Sequence, residues 1–200
     1  PHLLERLAAE QPGQRIQTSV RQALQRQTQA LVNRYAREYS SNHIHNLAAI
    51  VADVETGEVL AYAGNATYPA DERRGNQVDI ITTPRSTGSI LKPFLYAGML
   101  HDGLLLPSML VSDVPLNING FSPHNYNKTF YGAVPAHVAI ERSLNVPLVR
   151  MLSQYNTGRF MSLLKSWGMT TLRFSEEHYG ASLILGGAEG TLWDLSGMYA

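Results

Sequence analysis

Cysteine is absent from the 200 residues of this chain, which excludes disulfides and thiolate metal sites. No apolar run approaches the roughly 18 residues that a membrane-spanning helix needs, and no signal peptide is visible. Sixteen basic residues balance sixteen acidic ones, so the net charge gives no sign of a nucleic-acid or polyanion partner. What remains is a globular chain of ordinary domain size, with 44% hydrophobic residues and no internal repeat.

The spacing of apolar residues predicts a mixture of helices and strands. One helix is predicted from about Thr18 to Arg37, and a β-hairpin follows over residues 47–64. Another helix is expected from Ser89 to about Leu100, because Pro93 suits a first turn. Later helices are predicted over 136–143, 147–155 and 159–167, with a last one opening at a capping box over 191–194. Residues 1–15 are expected to be a polar lead-in with a break at Pro12-Gly13. Residues 65–85, with the Asp71-Glu72-Arg73-Arg74 charge cluster, are expected to be a solvated loop, and residues 102–134 to be loop-rich.

Ser89-Ile90-Leu91-Lys92 places a hydroxyl and an amine three residues apart, on one face of the predicted helix. A serine becomes a nucleophile when a base removes its proton, and a buried lysine with a lowered pKa can be that base. A serine at a helix start also has unpaired backbone N–H groups nearby, which suit a developing oxyanion. The motif therefore predicts a serine-lysine acyl-transfer site.

The motif alone is short, and flanking residues must separate true from chance copies. With 15 serines and 3 lysines in 200 residues, chance gives about 0.2 matches. Ser162-Leu163-Leu164-Lys165 also matches, but it falls inside a predicted helix and is interpreted as a surface helix face. Only the first copy is flanked by Gly88, which permits a sharp entry, and by Pro93.

A second element, Ser143-Leu144-Asn145, lies between two predicted helices, 54 residues after Ser89. A hydroxyl and a carboxamide on one turn can relay a proton and hold a substrate amide, although helix termination and capping explain them equally simply. Ser40-Ser41-Asn42 has the same form. The order of the two elements favours the chemical interpretation, because Ser-x-x-Lys followed by Ser-x-Asn occurs in class A β-lactamases and penicillin-binding proteins.

The longer segments resemble one family, the class A penicillin-binding proteins. Arg85-Ser86-Thr87-Gly88-Ser89-Ile90-Leu91-Lys92-Pro93-Phe94 resembles their nucleophile box, and Ser143-Leu144-Asn145-Val146-Pro147-Leu148-Val149 resembles their second box. Phe121-Ser122-Pro123-His124-Asn125-Tyr126, then Gly132-Ala133-Val134-Pro135, is similar to the segment upstream of the second box. Leu185-Gly186-Gly187-Ala188-Glu189 is similar to a later segment. The resemblance covers about residues 16–200.

The resemblance implies an α+β fold, the N-terminal part of a penicillin-binding or serine β-lactamase-like transpeptidase domain. Helices would pack on an antiparallel sheet that is incomplete in this chain. Residues 1–45 would be a linker and helix, and 46–200 the start of the domain. The family's third box, Lys-Thr-Gly, does not follow Asn145 here and is expected beyond residue 200. This chain would then be an excerpt with about half of the active site.

The resemblance also implies roles for four residues. Ser89 would be the nucleophile, Lys92 its base, Ser143 a proton relay to the leaving amine, and Asn145 a group that orients Lys92 and the substrate amide. The substrate would be a peptidoglycan stem peptide ending in D-Ala-D-Ala, with β-lactams as inhibitors. No metal, organic cofactor or nucleic acid is implied. The site would face the periplasm at the bacterial inner membrane, held by an anchor outside this chain.

Three alternatives stay open at this point. The chain could belong to a D,D-carboxypeptidase or a β-lactam sensor of the same fold. A β-lactamase would need a deacylating carboxylate, and Glu176 and Glu177 are the only candidates in that stretch. Without the third box, the excerpt could instead be a non-catalytic fragment that self-associates through an exposed strand edge, a hypothesis that light scattering would test. His43 and His45 could bind a metal, but with no third ligand nearby they are interpreted as loop histidines.

Overall fold

The computed structural model describes residues 2–67, 72–118 and 120–200. The chain divides into two compact units, one formed by Pro1–Pro84 with Thr191–Ala200 and the other by Arg85–Gly190. The helices of the described part are α1 (His2–Glu10), α2 (Gln22–Glu38), α3 (Lys92–His101), α4 (Ala136–Glu141), α5 (Asn145–Tyr155), α6 (Thr157–Ser166), α7 (Glu176–Tyr179) and α8 (Leu192–Tyr199). The strands are β1 (Ala49–Ala52), β2 (Val59–Ala63), β3 (Arg85–Ser86), β4 (Leu110–Asp113), β5 (Gly132–Pro135) and β6 (Glu189–Gly190).

The first unit is built on the predicted hairpin. β1 and β2 pair antiparallel from Ala49↔Ala63 onwards, and the register shifts at the end of β1. Helix α2 packs on this hairpin through a small apolar cluster that contains Val32 and Ala36. The Gln25 carboxamide of α2 bonds both backbone groups of Tyr62, donating to its carbonyl at 2.9 Å and accepting from its N–H at 2.7 Å. The strand edge is therefore closed by a side chain of the helix.

Two predictions for the first unit are corrected at its N-terminal end. Residues 2–10 form helix α1, where only a polar lead-in was expected, and an Arg6–Glu10 ion pair four residues apart spans its last turns. Helix α2 begins at Gln22 rather than Thr18, because the Ser19 hydroxyl and the Arg21 N–H donate to carbonyls of β2. In the predicted charge cluster, Asp71 lies outside the described residues, and Glu72–Arg74 form a 3₁₀ turn.

The second unit packs helices α3 to α6 around a core of large apolar side chains. Two of its strands, β4 and β5, pair antiparallel from Leu110↔Pro135 to Asp113↔Gly132. Residues 102–134 were predicted to be loop-rich, and no strand was predicted there. These strands are only four residues long and their connection is long, so no short-hairpin pattern marks them in the sequence. Buried core residues of this unit include Leu95, Met99, Leu148, Leu152, Phe160 and Leu164.

The remaining strand pair places the segment that precedes α3. β3 and β6 pair antiparallel, Arg85 with Gly190 and Ser86 with Glu189. Across the described residues, the strands form three two-stranded antiparallel ladders, and no helix there is long and apolar enough to span a bilayer. The mixed composition of helices and antiparallel strands agrees with the predicted α+β class.

Candidate active site

The turn before α3 carries Ser89. The helix was predicted to begin at this residue, but regular α-helix begins at Lys92. The turn itself is 3₁₀-like, since the Ile90 N–H donates to Thr87 and the Lys92 N–H donates to the Ser89 carbonyl, each at 3.1 Å. In such a turn, side chains three residues apart are nearly eclipsed. Ser89 and Lys92 therefore lie on one side of the turn, and Ser89 is exposed.

A glycine-rich segment holds this turn from the other side. The Ser86 hydroxyl donates to the Gly186 carbonyl at 2.8 Å and accepts the Gly88 N–H at 3.4 Å. The Thr87 N–H donates to the Ala188 carbonyl at 3.0 Å. Gly88 has a φ of +53°, the left-handed conformation that allows the chain to turn sharply into the helix. Ser89 therefore follows a turn that is held by hydrogen bonds and that glycine at position 88 can adopt without strain.

Lys92 is among the largest of the fully buried side chains, with 1% of its surface exposed. Its ammonium donates three hydrogen bonds: to the Ser143 carbonyl at 2.8 Å, the Ser143 hydroxyl at 3.2 Å and the Asn145 Oδ1 at 2.7 Å. All three partners are neutral, so burial is not offset by an ion pair. Burial lowers the pKa of Lys92 from 10.5 to about 8.

This shift makes Lys92 a usable base near neutral pH. At pH 7 an amine with a pKa of about 8 is neutral in about one molecule in ten, whereas at a pKa of 10.5 it is neutral in about one in 3,000. The neutral fraction is thus raised about 300-fold, the antilogarithm of 10.5 minus 8. A base of this strength is well matched to proton removal from a serine hydroxyl.

Ser143 reaches Lys92 because its backbone is left-handed, with φ of +50°. Helix α4, which was predicted to extend to Ser143, ends at Glu141, and the Ser143 N–H closes the following turn on the Ile140 carbonyl at 2.9 Å. A left-handed serine costs on the order of 1 kcal/mol or more and persists where its surroundings fix it. Here the conformation directs both the carbonyl and the hydroxyl of Ser143 at one ammonium.

Asn145 is the first residue of α5, which begins two residues earlier than predicted. Its Oδ1 accepts from Lys92, and its Nδ2 donates to the His124 carbonyl at 2.8 Å. The carboxamide is therefore held at both ends, with its oxygen facing the amine.

The structure thus joins Lys92, Ser143 and Asn145 directly by hydrogen bonds, and it places Ser89 one 3₁₀ turn before Lys92. None of the three hydrogen bonds of Lys92 goes to Ser89. Among the described residues, the Ser89 backbone N–H also has no hydrogen-bond acceptor, so it stays available to an incoming oxygen.

The competing motifs are placed elsewhere. In the second Ser-x-x-Lys copy, Ser162 lies within α6 and its hydroxyl donates back to the Gly158 carbonyl, while Lys165 is exposed. Ser40 lies within the 3₁₀ turn Tyr39–Asn42, and its hydroxyl donates to the Arg37 carbonyl near the end of α2. His43 and His45 lie with ring centres 6.5 Å apart, and no group of three or more metal-ligating side chains occurs among residues 2–67, 72–118 and 120–200.

Two buried polar residues at the site were not singled out from the sequence. Asp113 ends β4 with 0% of its surface exposed, and Asn125 is 2% exposed. Asn125 belongs to one of the family-like segments, and that pattern was the available signal. Asp113 gave none, since it lies in a stretch predicted to be loop. Their contacts lead to the backbone of Asn145.

Comparison with known proteins places this geometry in context. The family model described as penicillin binding protein transpeptidase domain matches residues 47–188. Penicillin-binding protein 1C of Escherichia coli K12 is 34% identical over 185 residues, which is 92% of this chain and 24% of that protein. The family-like motifs predicted a protein of the 1C type, in agreement with this match. Penicillin-binding protein 1A of Rickettsia felis is 27% identical over 78% of this chain and 19% of its own length.

Solved structures show the same fold. PonA1 of Mycobacterium tuberculosis in complex with penicillin V superposes with a TM-score of 0.74 at 20% identity, covering 98% of this chain and 54% of that one. A peptidoglycan glycosyltransferase from Burkholderia ambifaria gives 0.76 at 22% identity, over 92% and 60%. The predicted fold family is thereby confirmed. The chain spans about a quarter of the curated relative matched first and about half of these structures.

Proposed function

We propose a function from one premise: this chain belongs to the penicillin-binding protein transpeptidase family, whose members are serine acyltransferases of peptidoglycan synthesis. The proposed reaction is D,D-transpeptidation of stem peptides ending in D-Ala-D-Ala. β-Lactams, which resemble that dipeptide, would trap the same serine. Ser89, Lys92, Ser143 and Asn145 are the proposed catalytic residues.

The observation that carries the proposal is the state of Lys92. A buried amine whose pKa is lowered to about 8, held by two neutral residues, lies one 3₁₀ turn after an exposed serine. A lysine that served only for stability would gain more from an anionic partner or from an exposed position. The arrangement fits a base that gives up its proton and takes one back.

The chemistry then follows from the contacts. Neutral Lys92 removes the Ser89 proton as Oγ attacks the carbonyl carbon of the penultimate D-alanine. The oxyanion forms next to the unpaired Ser89 N–H. Ser143, bonded to Lys92, passes the proton to the nitrogen of the departing D-alanine, and the C–N bond breaks. The acyl-serine is then attacked by an amine of a second stem peptide, which forms the cross-link and returns the proton to Ser89.

Three parts of the proposal concern the parent protein. A segment after residue 200 would supply Lys-Thr-Gly, which binds the substrate carboxylate and completes the oxyanion site. The domain would begin near residue 46, after a linker and helix. The site would face the periplasm, anchored to the inner membrane by a segment outside these residues. The matched residues make up 24% of the first of these relatives and 19% of the second, so most of each relative lies outside the match.

The test is covalent labelling with a fluorescent penicillin, followed by mass spectrometry of the labelled peptide. It is run on this chain and on a form that continues past a Lys-Thr-Gly segment. We expect the label on Ser89 and none in Ser89→Ala. Ser162→Ala, which removes the serine of the second Ser-x-x-Lys copy, should label like the wild type. A folded longer form that stays unlabelled would refute the transpeptidase proposal.

The pKa of Lys92 predicts how labelling depends on pH. Because the neutral amine is the base, the acylation rate should rise about tenfold per pH unit below pH 8 and level off above it. The rate is measured from pH 6 to 10, after subtraction of spontaneous penicillin hydrolysis, with circular dichroism to confirm folding at each pH. A rate that stays flat from pH 6 to 8 would argue against Lys92 as the base.

A further inference from the structure

The first two N–H groups of α5 share one acceptor. The backbone N–H groups of Asn145 and Val146 both donate to the Oδ1 of Asn125, at 2.9 and 3.2 Å. The first N–H groups of a helix have no partner within it, and here a side chain from 20 residues earlier supplies one. Leu144, at the usual capping position, makes no side-chain cap. Asn125 therefore fixes the backbone of Asn145 from outside the helix.

The Asn125 carboxamide is itself oriented by Asp113. Its Nδ2 donates to both carboxyl oxygens of Asp113, at 2.9 and 3.0 Å, and to the Thr129 carbonyl at 2.9 Å. A carboxylate accepts hydrogen bonds and donates none, so the NH₂ end of Asn125 must face Asp113. The oxygen end is then left to face the N–H groups of α5. The Tyr131 N–H, donating to Asp113 Oδ2 at 3.0 Å, holds the carboxyl group in place.

These contacts form one continuous path with a single direction. Lys92 donates to the side chain of Asn145, the backbone of Asn145 donates to Asn125, and Asn125 donates to Asp113. Asn125 and Asp113 are both buried, and a buried polar group without a hydrogen-bond partner costs about 1–3 kcal/mol. Moving either residue would therefore leave a buried polar group without its hydrogen-bond partner, which fixes the position of both side chains.

We propose that Asn125 and Asp113 are a positioning pair that fixes the Asn145 turn and, through it, the Lys92 amine. The inference rests on the proposed function, since it assigns these residues to the preparation of the same base. Neither residue touches the reacting atoms. Asp113 sets which end of the Asn125 carboxamide faces α5, and Asn125 sets where Asn145 holds Lys92.

The first test measures the pKa of Lys92 by NMR and needs no acylation. The chain has only three lysines, at 92, 128 and 165, so selective ¹³Cε-lysine labelling gives three resolvable signals, assigned with Lys128→Arg and Lys165→Arg. In Asn125→Leu the Asn145 turn loses its anchor, water reaches the amine, and the pKa of Lys92 should rise above about 8. Asn42→Leu, which makes the same change at an exposed asparagine outside this network, should leave the titration unchanged.

The second test reads the acylation step in the longer form. Asn125→Leu should lower the maximal acylation rate about 10- to 100-fold with little change in penicillin affinity, since small displacements of a catalytic group have effects of this size. Asp113→Asn is isosteric and should give a similar loss by allowing the Asn125 carboxamide to flip. If Asn125→Leu does not fold, the acylation rate of Asp113→Asn is measured in its place.

A swap of the pair separates positioning from general stability. Asp113→Asn with Asn125→Asp restores a donor at 113 and an acceptor facing α5, so the double variant should recover part of what either single variant loses. Recovery is incomplete because the Thr129 carbonyl loses its donor. Additive losses would overturn the proposal. So would folded single variants whose Lys92 titration and acylation match Asn42→Leu. If the longer wild-type form were not labelled by penicillin, the proposed function would be refuted. The Lys92 titration would still decide whether Asn125 and Asp113 position the amine.

Discussion

Lys92→Arg is expected to lower the rate of Ser89 acylation about 1,000-fold, within the range typical for loss of a general base. Arginine keeps the positive charge and the capacity to donate to Ser143 and Asn145, but its guanidinium stays protonated and cannot accept the serine proton. The rate is measured with fluorescent penicillin at saturating concentration, at pH 8. The substitution therefore separates the need for a cation near the serine from the need for a base.

The chain contains its own matched control for this substitution. Lys165→Arg makes the same change in the second Ser-x-x-Lys copy, where the lysine is exposed on α6, and should keep the wild-type rate. Lys92→Met, which keeps the length of the side chain and removes the amine, should lose as much activity as Lys92→Arg. If Lys92→Arg retained more than about a tenth of the rate, the proton would have to leave Ser89 by another route.

How far the sequence predicted this site depends on the range of each contact. The Ser89–Lys92 relation is local, because spacing of three along a turn brings two side chains together whatever surrounds them. The pairing with Ser143 and Asn145 could be expected only from the order of motifs and the family resemblance. The left-handed backbone of Ser143 could not, since serine has no preference for it and tertiary contacts impose it.

Asp113 shows why the other residues of the site could not be predicted from the sequence. Its role depends on a buried contact with Asn125, 12 residues away, and on β4, a four-residue strand with no hairpin signal. A lone aspartate in such a stretch is usually an exposed turn residue. The fold shows the same division: the β1–β2 hairpin and the long helix α2 were predicted from periodicity, whereas α1 and the β4–β5 ladder were missed.

Gly186→Ala is expected to have the second-largest effect, on both stability and acylation. A Cβ at Gly186 would lie 2.8 Å from the backbone N and Cα of Gly88, the residue before Ser89. Its φ of +99° is also one that alanine avoids. Strain of about 1–3 kcal/mol from φ and a similar amount from overpacking should lower the free energy of unfolding by about 2–6 kcal/mol. Where the chain stays folded, the displaced Ser89 turn should acylate about 100-fold more slowly.

Two other glycines separate the causes of this effect. Gly88→Ala places a Cβ at φ of +53° with no atom within 4 Å, so it tests conformation without a clash and should cost only about 1–2 kcal/mol. Gly197→Ala, inside α8 with no close atom and no positive φ, should stabilise by about 0.5–1 kcal/mol. Urea unfolding gives all three values. If Gly186→Ala lost no more stability and no more acylation than Gly88→Ala, the close approach of the two glycine backbones would not be what holds the Ser89 turn in place.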